Sequence, residues 1–219
     1  MPRVGVVLSG CGVYDGAEIH ESVLTMLALD RAGADMVLMA PDVEQMHVIN
    51  HLTGQVVEGE RRNVLVESAR IARGNIKDIK DVKAGDIDAL IFPGGYGAAK
   101  NLCNYATKGP DCAVHPEVAR LVKDMYEARK PIGAICISPA VIAKVLGNKG
   151  PELTIGTDRT TAQDIEKMGA KHIECPVDDF RVDRDNKIVT TPAYMLANRI
   201  SEAAVGIEKA VRAVLDLIP

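Results

Sequence analysis

The sequence predicts a three-layer α/β/α domain built around a mostly parallel sheet. Three observations point to this class. Short aliphatic runs alternate with longer amphipathic stretches along the 219 residues, as in repeated strand–helix units. The aliphatic runs are continuous rather than alternating, which is typical of parallel strands that helices cover on both faces. Hydrophobic residues make up 47% of the chain and aromatic residues only 3%, so we expect a large aliphatic core.

The predicted elements follow one another in a regular order. Buried strands are predicted at 3–9, 35–40, 87–92, 131–135 and about 152–155. Helices are predicted at 17–32, 62–73, 116–129, 139–147, 160–168 and 194–216. Asp15 and Glu18 form a variant of the capping box at the start of the first helix. The segment 180–191 is predicted to add a β-hairpin that turns at Arg184 to Asn186.

Composition and charge exclude several classes of protein. The chain has 26 Lys and Arg against 30 Asp and Glu, and a net charge of −4 lacks the basic stripe of a nucleic-acid-binding protein. No apolar stretch of about 18 residues is present, so we expect no membrane association. With no linker or repeat, residues 1–219 are predicted to form one domain.

The cysteines indicate a reducing compartment. There are five of them and no C-x-x-C motif, which argues against a disulfide framework and against a zinc ribbon. Reduced thiols fit a cytosol-like environment. We therefore expect a cytoplasmic location, with the mitochondrial matrix as the alternative if a transit peptide has been removed.

The segment PIGAICISPAVIAKVLG, residues 131–147, predicts a nucleophile elbow. A buried strand runs directly into Cys136 and a helix follows at once, with the small residues Ala134 and Ser138 two positions to either side. A helix N-terminus stabilises a thiolate, so we expect a lowered pKa for the Cys136 thiol. A buried structural cysteine is the alternative that this pattern leaves open.

The segment DALIFPGGYGAAKN, residues 88–101, predicts a glycine turn at the carboxyl edge of the sheet, where α/β proteins bind ligands. Its glycines match neither a Walker A loop nor G-x-G-x-x-G, so a phosphate cradle is not supported. The functional interpretation is an oxyanion hole formed by the backbone amides of Gly95 and Ile137. The alternative is a tight turn without a chemical role.

Acidic residues and one histidine motif are further candidates. The first helix carries Glu18 and Glu21 near its start, where a carboxyl group could exchange a proton with a substrate beside Cys136. A solvated helix face is the alternative. The H-I-E motif at His172 has the spacing of Cys-His-Glu glutaminases, since residues i and i+2 of a strand share a face. A surface strand histidine is the favoured interpretation of His172.

Several motifs resemble those of a known family. GAICISP, PGGYGAAKN and GAEIHES together resemble the ThiJ/PfpI, or class I glutamine amidotransferase-like, superfamily. SGCGVYDGAEIHE, MHVINHLTG, RNVLVESARIARG, FPGGYGAAKNL and DNKIVTTPAYM are similar to segments of the ElbB proteins, named for enhancing lycopene biosynthesis, and of their mitochondrial glutamine-amidotransferase-like relatives. The resemblance covers nearly the whole chain. It implies a flavodoxin-like sandwich, a homodimer, and Cys136 as the nucleophile.

The resemblance also implies roles for individual residues. Glu21 matches the superfamily's glutamate that contacts the cysteine, Gly95 the second glycine of its oxyanion turn, and Ile137 the residue after the nucleophile. The chain departs from the family at two positions. Many relatives have a histidine where Ile137 stands. The deglycase branch of the superfamily, which contains the Parkinson-associated deglycase, has one near Gly156. A complete Cys-His-acid triad is therefore not visible.

The activity that the resemblance implies is that of a cofactor-independent glyoxalase. The Cys136 thiolate would add to glyoxal or methylglyoxal, Glu21 would move a proton between adjacent carbons, and hydrolysis would release glycolate or lactate. No cofactor, metal or nucleic acid is expected; the expected partner is a small dicarbonyl. Two alternatives remain: a redox-sensing protein in which Cys136 oxidises, and a glutamine amide hydrolase. Any catalytic histidine, His20 or His172, stays unassigned.

Overall fold

The computed structural model describes residues 1–219. Its eleven strands are β1 (Arg3–Val7), β2 (Asp35–Ala40), β3 (Ile49–Asn50), β4 (Gln55–Val56), β5 (Lys77–Asp78), β6 (Ala89–Phe92), β7 (Ile132–Ile135), β8 (Glu152–Leu153), β9 (Lys171–His172), β10 (Arg181–Asp183) and β11 (Ile188–Thr191). Its eight α-helices are α1 (Ile19–Arg31), α2 (Val64–Ile71), α3 (Tyr96–Lys100), α4 (Tyr105–Lys108), α5 (Pro116–Glu127), α6 (Pro139–Leu146), α7 (Arg159–Lys167) and α8 (Ile200–Asp216). None of these helices combines the length and apolar character that crossing a bilayer requires.

Seven strands form the central sheet, in the order β10-β11-β7-β6-β1-β2-β5. All neighbouring pairs are parallel except β10 and β11. Helices cover both faces, so each strand buries side chains on both sides. In β6, Leu90 and Phe92 pack into the cluster that contains α5 and α6, while Ala89 and Ile91 face α1 and α8. The predicted flavodoxin-like three-layer sandwich is confirmed.

The predicted hairpin forms, but its second strand lies inside the central sheet. β11 pairs antiparallel with β10 and parallel with β7, which places the end of β11 beside the end of β7. The strand predicted at about 152–155 is only partly correct. Glu152–Leu153 pairs with β9 in a separate two-stranded sheet and does not join the central sheet.

Two helix boundaries also differ from the predictions. The N-cap of α1 is Glu18, whose carboxylate accepts a hydrogen bond from the Glu21 N–H at 2.7 Å, and not Asp15. Asp15 instead accepts from the Ile49 N–H at 2.7 Å and anchors a neighbouring loop. The last helix begins at Ile200 rather than at 194, because Ala193–Met195 form a separate 3₁₀ turn.

Candidate active site

The site is built where four adjacent strands end. β11, β7, β6 and β1 lie side by side and parallel, so the segments that follow them meet at one edge of the sheet. The loop after β1 leads into α1, which carries Glu21. β6 leads into the Gly94–Gly95 turn, β7 into Cys136, and β11 into the 3₁₀ turn at Tyr194. Strand order therefore brings together residues far apart in sequence.

Cys136 sits on a strained turn between β7 and α6. Its φ is +62°, in the left-handed region that residues with a side chain rarely adopt. The backbone is held there from two sides: the Cys136 N–H donates to Thr191 O at 3.0 Å, and the Ser138 hydroxyl donates to Pro93 O at 2.8 Å. Pro139 begins α6 directly behind this turn. This is the elbow geometry that the sequence pattern predicts.

Glu21 is fully buried and bound through both carboxyl oxygens. One oxygen accepts a hydrogen bond from the Gly94 N–H at 2.8 Å, and the other accepts from the Tyr194 N–H at 3.1 Å. The carboxyl is also within hydrogen-bonding reach of the Cys136 thiol. Three loops therefore hold Glu21 in one position against the sulfur.

The glycine turn places backbone groups against the same sulfur. The N–H groups of Gly95 and Ile137 both interact with Cys136, and Gly95 has a φ of +100° that favours glycine. Gly94 has no room for a side chain, because a Cβ there would lie 2.6 Å from Glu21 Oε2 and would overlap Cys136. The structure thus brings together Cys136, Glu21, Gly95 and Ile137.

Burial dominates the electrostatics of the Cys136–Glu21 pair. Burial, with the neighbouring Glu18 charge as a second cause, raises the pKa of Glu21 to about 8, although two backbone N–H groups oppose this. Burial and the Glu21 charge raise the pKa of Cys136 well above its ordinary value, against the opposing N–H groups of Gly95 and Ile137. Near neutral pH, Glu21 is therefore mainly a neutral carboxylic acid.

The expectation that the helix N-terminus lowers the pKa of Cys136 is wrong. A helix N-terminus contributes about 0.3–1 kcal/mol at an exposed site, less than the cost of burying an unpaired thiolate. The thiol with a lowered pKa is Cys112, which a hydrogen bond with the Cys103 thiol brings to about 7. A thiolate at Cys136 depends instead on Glu21 staying protonated.

Cys136 opens onto a cavity of about 270 Å³. The apolar part of its lining comes from α3, α4 and the loops after β1, β7 and β11. Besides Cys136 it consists of Val13, Tyr96, Ala99, Tyr105, Ala106, Ile137, Tyr194 and Met195. Polar lining groups are few, and Glu18 is the single charged one; no Lys, Arg or His lines the cavity. The Cys136 side chain closes one side of this mainly apolar cavity.

Neither candidate histidine lines this cavity. His20 lies on the exposed side of α1, and its Nδ1 is 2.7 Å from the Tyr194 hydroxyl, so it reaches the site only through that ring. His172 lies on β9 and accepts a hydrogen bond from the Ile155 N–H at 3.3 Å. Gly156, where the deglycase branch has a histidine, packs against Leu196 and Pro192. A histidine triad is not assembled at Cys136.

Two groups that hold Glu21 were not predicted from the sequence: the backbone amides of Gly94 and Tyr194. The sequence PGGYG holds two adjacent glycines, and only Gly95 was assigned a function. The other glycine of the pair was a signal that could have identified Gly94. Tyr194 gave no signal, since its contribution is a backbone N–H. The residue before it, Ala193, has a φ of +44° and is therefore a second strained residue beside the site. Its backbone conformation orients the Tyr194 N–H toward Glu21.

We expect Gly94→Ala to lower the free energy of unfolding by about 1–3 kcal/mol, the usual cost of forcing extra volume into a packed site. The added methyl would displace Cys136 or Glu21. Urea denaturation measures the effect. Gly85→Ala is the matched control, because a Cβ at Gly85 meets no atom within 4 Å. Equal stability of Gly94→Ala and Gly85→Ala would contradict the close packing described here.

We expect Cys136 to be alkylated faster in Glu21→Gln than in the wild-type protein at pH 9. At that pH Glu21 is mostly ionised, and its charge opposes the formation of the neighbouring thiolate. Iodoacetamide labelling followed by peptide mapping gives the rate at each cysteine. Labelling of Cys112 is the internal control and should not change. Slower labelling of Cys136 in the variant would contradict the repulsion between the two groups.

Fold and site together define a flavodoxin-like α/β protein with a cysteine on a nucleophile elbow. The chain belongs to the DJ-1/PfpI family, whose profile matches residues 11–197. The resemblance to the class I glutamine amidotransferase-like superfamily is therefore confirmed at the level of the family.

Named relatives and solved structures agree with this assignment. The chain is 50% identical to the human protein "Glutamine amidotransferase-like class 1 domain-containing protein 3, mitochondrial", over 98% of this chain and 83% of that protein. An "isoprenoid biosynthesis protein with amidotransferase-like domain" from Ehrlichia chaffeensis superposes with a TM-score of 0.91 at 40% identity, over 98% of this chain and 99% of the other. Glyoxalase III from Candida albicans shares the fold, with a TM-score of 0.64 at 17% identity, over 100% and 98% of the two chains.

Proposed function

We propose that the protein is a cofactor-independent glyoxalase that converts small 2-oxoaldehydes such as glyoxal and methylglyoxal into 2-hydroxy acids. The observation that carries the proposal is the Cys136–Glu21 pair. A nucleophile and a carboxyl group with a pKa of about 8 lie in contact beneath an apolar cavity. A general acid–base works best when its pKa lies near the working pH.

The first step is addition of sulfur to the aldehyde. In the form of the pair that holds one proton, the Cys136 thiol gives this proton to the Glu21 carboxylate. The resulting thiolate attacks the aldehyde carbon and forms a C–S bond, while the carbonyl π electrons move to oxygen. The N–H groups of Gly95 and Ile137, which face the sulfur, are placed to donate to the resulting oxyanion. Glu21 then gives its proton to that oxygen. The product is a neutral hemithioacetal, and Glu21 is left as a carboxylate.

The second step moves a proton between adjacent carbons. The Glu21 carboxylate removes the hydrogen of the former aldehyde carbon as a proton, which forms an enediolate, and returns a proton to the neighbouring carbon. The hydroxyl proton of the hemithioacetal passes to the oxygen on that neighbouring carbon. This leaves a 2-hydroxyacyl thioester on Cys136. Because the amides of Gly94 and Tyr194 fix both carboxyl oxygens, the base keeps one position through both transfers.

Hydrolysis completes the cycle. Water attacks the thioester carbon, the C–S bond breaks, and the sulfur leaves with a proton as the Cys136 thiol. The overall change is one 2-oxoaldehyde plus one water to one 2-hydroxy acid, with no net oxidation or reduction. Every proton transfer in the cycle takes place among Glu21, Cys136, the substrate and water.

The two alternative functions receive less support. A glutaminase of the Cys-His-Glu type needs a histidine at the nucleophile, and His172 is bound to the Ile155 N–H instead. No cation lines the cavity to pair with the α-carboxylate of glutamine. Redox-sensing cysteines are typically solvent-accessible, whereas Cys136 is buried. Oxidation confined to Cys136 without turnover of any dicarbonyl would restore the redox alternative.

We also propose a branch of the family and a cellular location for the protein. The 40% identity to the Ehrlichia isoprenoid biosynthesis protein supports placing the chain in the ElbB branch. The human relative is named as mitochondrial, which favours the mitochondrial alternative over a cytoplasmic location.

The test of function is turnover of methylglyoxal without glutathione. We expect Cys136→Ala to lose turnover and Cys175→Ala, a buried cysteine away from the cavity, to keep it. The assay follows disappearance of methylglyoxal and appearance of lactate. Equal rates in wild type and Cys136→Ala would remove this mechanism.

A further inference from the structure

The cavity over Cys136 is larger than a methylglyoxal molecule requires. At about 30 Å³ per water in the liquid, 270 Å³ corresponds to roughly nine waters. Methylglyoxal adds only a methyl group to the reacting dicarbonyl. Once its aldehyde carbon is bound to sulfur, most of the apolar lining would remain in contact with water. The remaining volume therefore favours a substrate whose substituent is larger than a methyl group.

The lining specifies the character of that substituent. Side chains of Val13, Ala99, Ala106 and Met195 and the rings of Tyr96 and Tyr194 are the walls that a ligand beyond the sulfur would meet. The single charged lining residue, Glu18, would repel a negatively charged substituent. Apolar walls with no cation favour a neutral hydrophobic group over a carboxylate or a phosphate.

We propose, on the basis of the glyoxalase function above, that the preferred substrates are uncharged 2-oxoaldehydes with a hydrophobic substituent of about the size of a phenyl ring. Each buried methylene is worth about a factor of four in binding. A phenyl ring adds five carbons to the methyl group. With about half of these carbons buried, it should raise kcat/KM by about 30-fold. A phenyl ring that carries a carboxylate should lose that advantage, because no cationic side chain lines the cavity to pair with the negative charge.

The substrate test compares initial rates for methylglyoxal, phenylglyoxal and 4-carboxyphenylglyoxal. Phenylglyoxal should be preferred to methylglyoxal by about 30-fold, and the carboxylated compound should be no better than methylglyoxal. No arginine lines the cavity, so the known reaction of phenylglyoxal with arginines leaves the site itself intact. Methylglyoxal turned over as fast as phenylglyoxal would overturn the proposal while leaving the glyoxalase function in place.

A variant separates substrate size from intrinsic reactivity. Ala106 is exposed at the start of α4 and lines the cavity, so Ala106→Leu adds volume there without disturbing the core. It should lower kcat/KM for phenylglyoxal about tenfold, which is the cost of losing one to two buried methylenes of contact with the ring. The kcat/KM for methylglyoxal should change little. Thr107→Leu, the next exposed residue on α4, does not line the cavity and should change neither. Equal losses for both substrates in Ala106→Leu would contradict the assignment of this wall.

A binding measurement keeps the inference testable if no dicarbonyl is turned over. Acetophenone, a neutral aryl ketone, should protect Cys136 from iodoacetamide, whereas acetone and 4-acetylbenzoate should not. Protection without turnover would support the binding site and reject the glyoxalase function. Turnover of methylglyoxal without protection by acetophenone would support the glyoxalase function and reject the hydrophobic binding site. If neither turnover nor protection is seen, both proposals are rejected.

Discussion

Between pH 4 and pH 9, the free energy of unfolding of Glu21→Gln is expected to rise relative to wild type by about 5 kcal/mol. The Glu21 carboxyl has an ordinary pKa of 4.5, and burial raises it to about 8 in the folded protein. At about 1.4 kcal/mol per pKa unit, the wild-type protein loses this amount as the pH rises. The amide that replaces the carboxyl group cannot ionise, so the variant escapes the loss.

The sign follows from proton binding. The folded wild-type protein holds the Glu21 proton more tightly than the unfolded chain does. The corresponding stability is complete below the unfolded pKa, declines from about pH 4.5, and is gone once the pH has passed about 8. Urea denaturation at several pH values measures it. Glu174→Gln, at an exposed carboxyl, is the matched control and should follow the wild-type pH dependence. The same pH dependence in Glu21→Gln would show that Glu21 is not buried as described.

Glu21→Gln is also expected to lower glyoxalase turnover by about 1,000-fold, within the range that a positioned general base contributes. The amide keeps the shape of the side chain and a hydrogen-bond donor but cannot accept the carbon-bound proton. Alkylation of Cys136 should be retained, which distinguishes loss of the base from loss of the fold. Glu21→Asp withdraws the carboxyl by one methylene and should weaken both turnover and alkylation.

The result that would exclude this role is undiminished turnover in Glu21→Gln. In that case His20, which touches the site through the Tyr194 hydroxyl, would be the next base to consider. The dependence of kcat/KM on pH is a second test of Glu21 as the general base. Because the basic form of Glu21 exists above a pKa of about 8, kcat/KM should increase as the pH approaches that value.

The fold could be predicted from the sequence because its strands are buried on both faces. β6 and β7 consist almost entirely of apolar residues, Pro93 follows β6 and Pro131 precedes β7, and both strands lie within two residues of their predicted ends. The short elements could not be predicted this way. β8 has two residues, and the pairing that separates it from the central sheet depends on β9, many residues later.

The site could be predicted only in part. The elbow at Cys136 was visible because strand, cysteine and helix are contiguous in the chain. Glu21 was identified through family resemblance, since nothing local distinguishes a buried glutamate from a solvated one on the same helix. The raised pKa of Cys136 could not be foreseen, because it depends on burial and on a partner 115 positions away. The backbone amides of Gly94 and Tyr194 carry no side-chain signature at all.

The most direct test of the Cys136–Glu21 mechanism is proton NMR of methylglyoxal turnover in D₂O. Glu21 exchanges its proton with solvent, so a base-mediated transfer should place solvent deuterium on the carbon that bears the hydroxyl group of lactate. Wild type should form at least partly deuterated lactate, and Cys136→Ala should form no lactate. Lactate formed at the wild-type rate by Cys136→Ala, or lactate that retains only the original hydrogen, would contradict the mechanism.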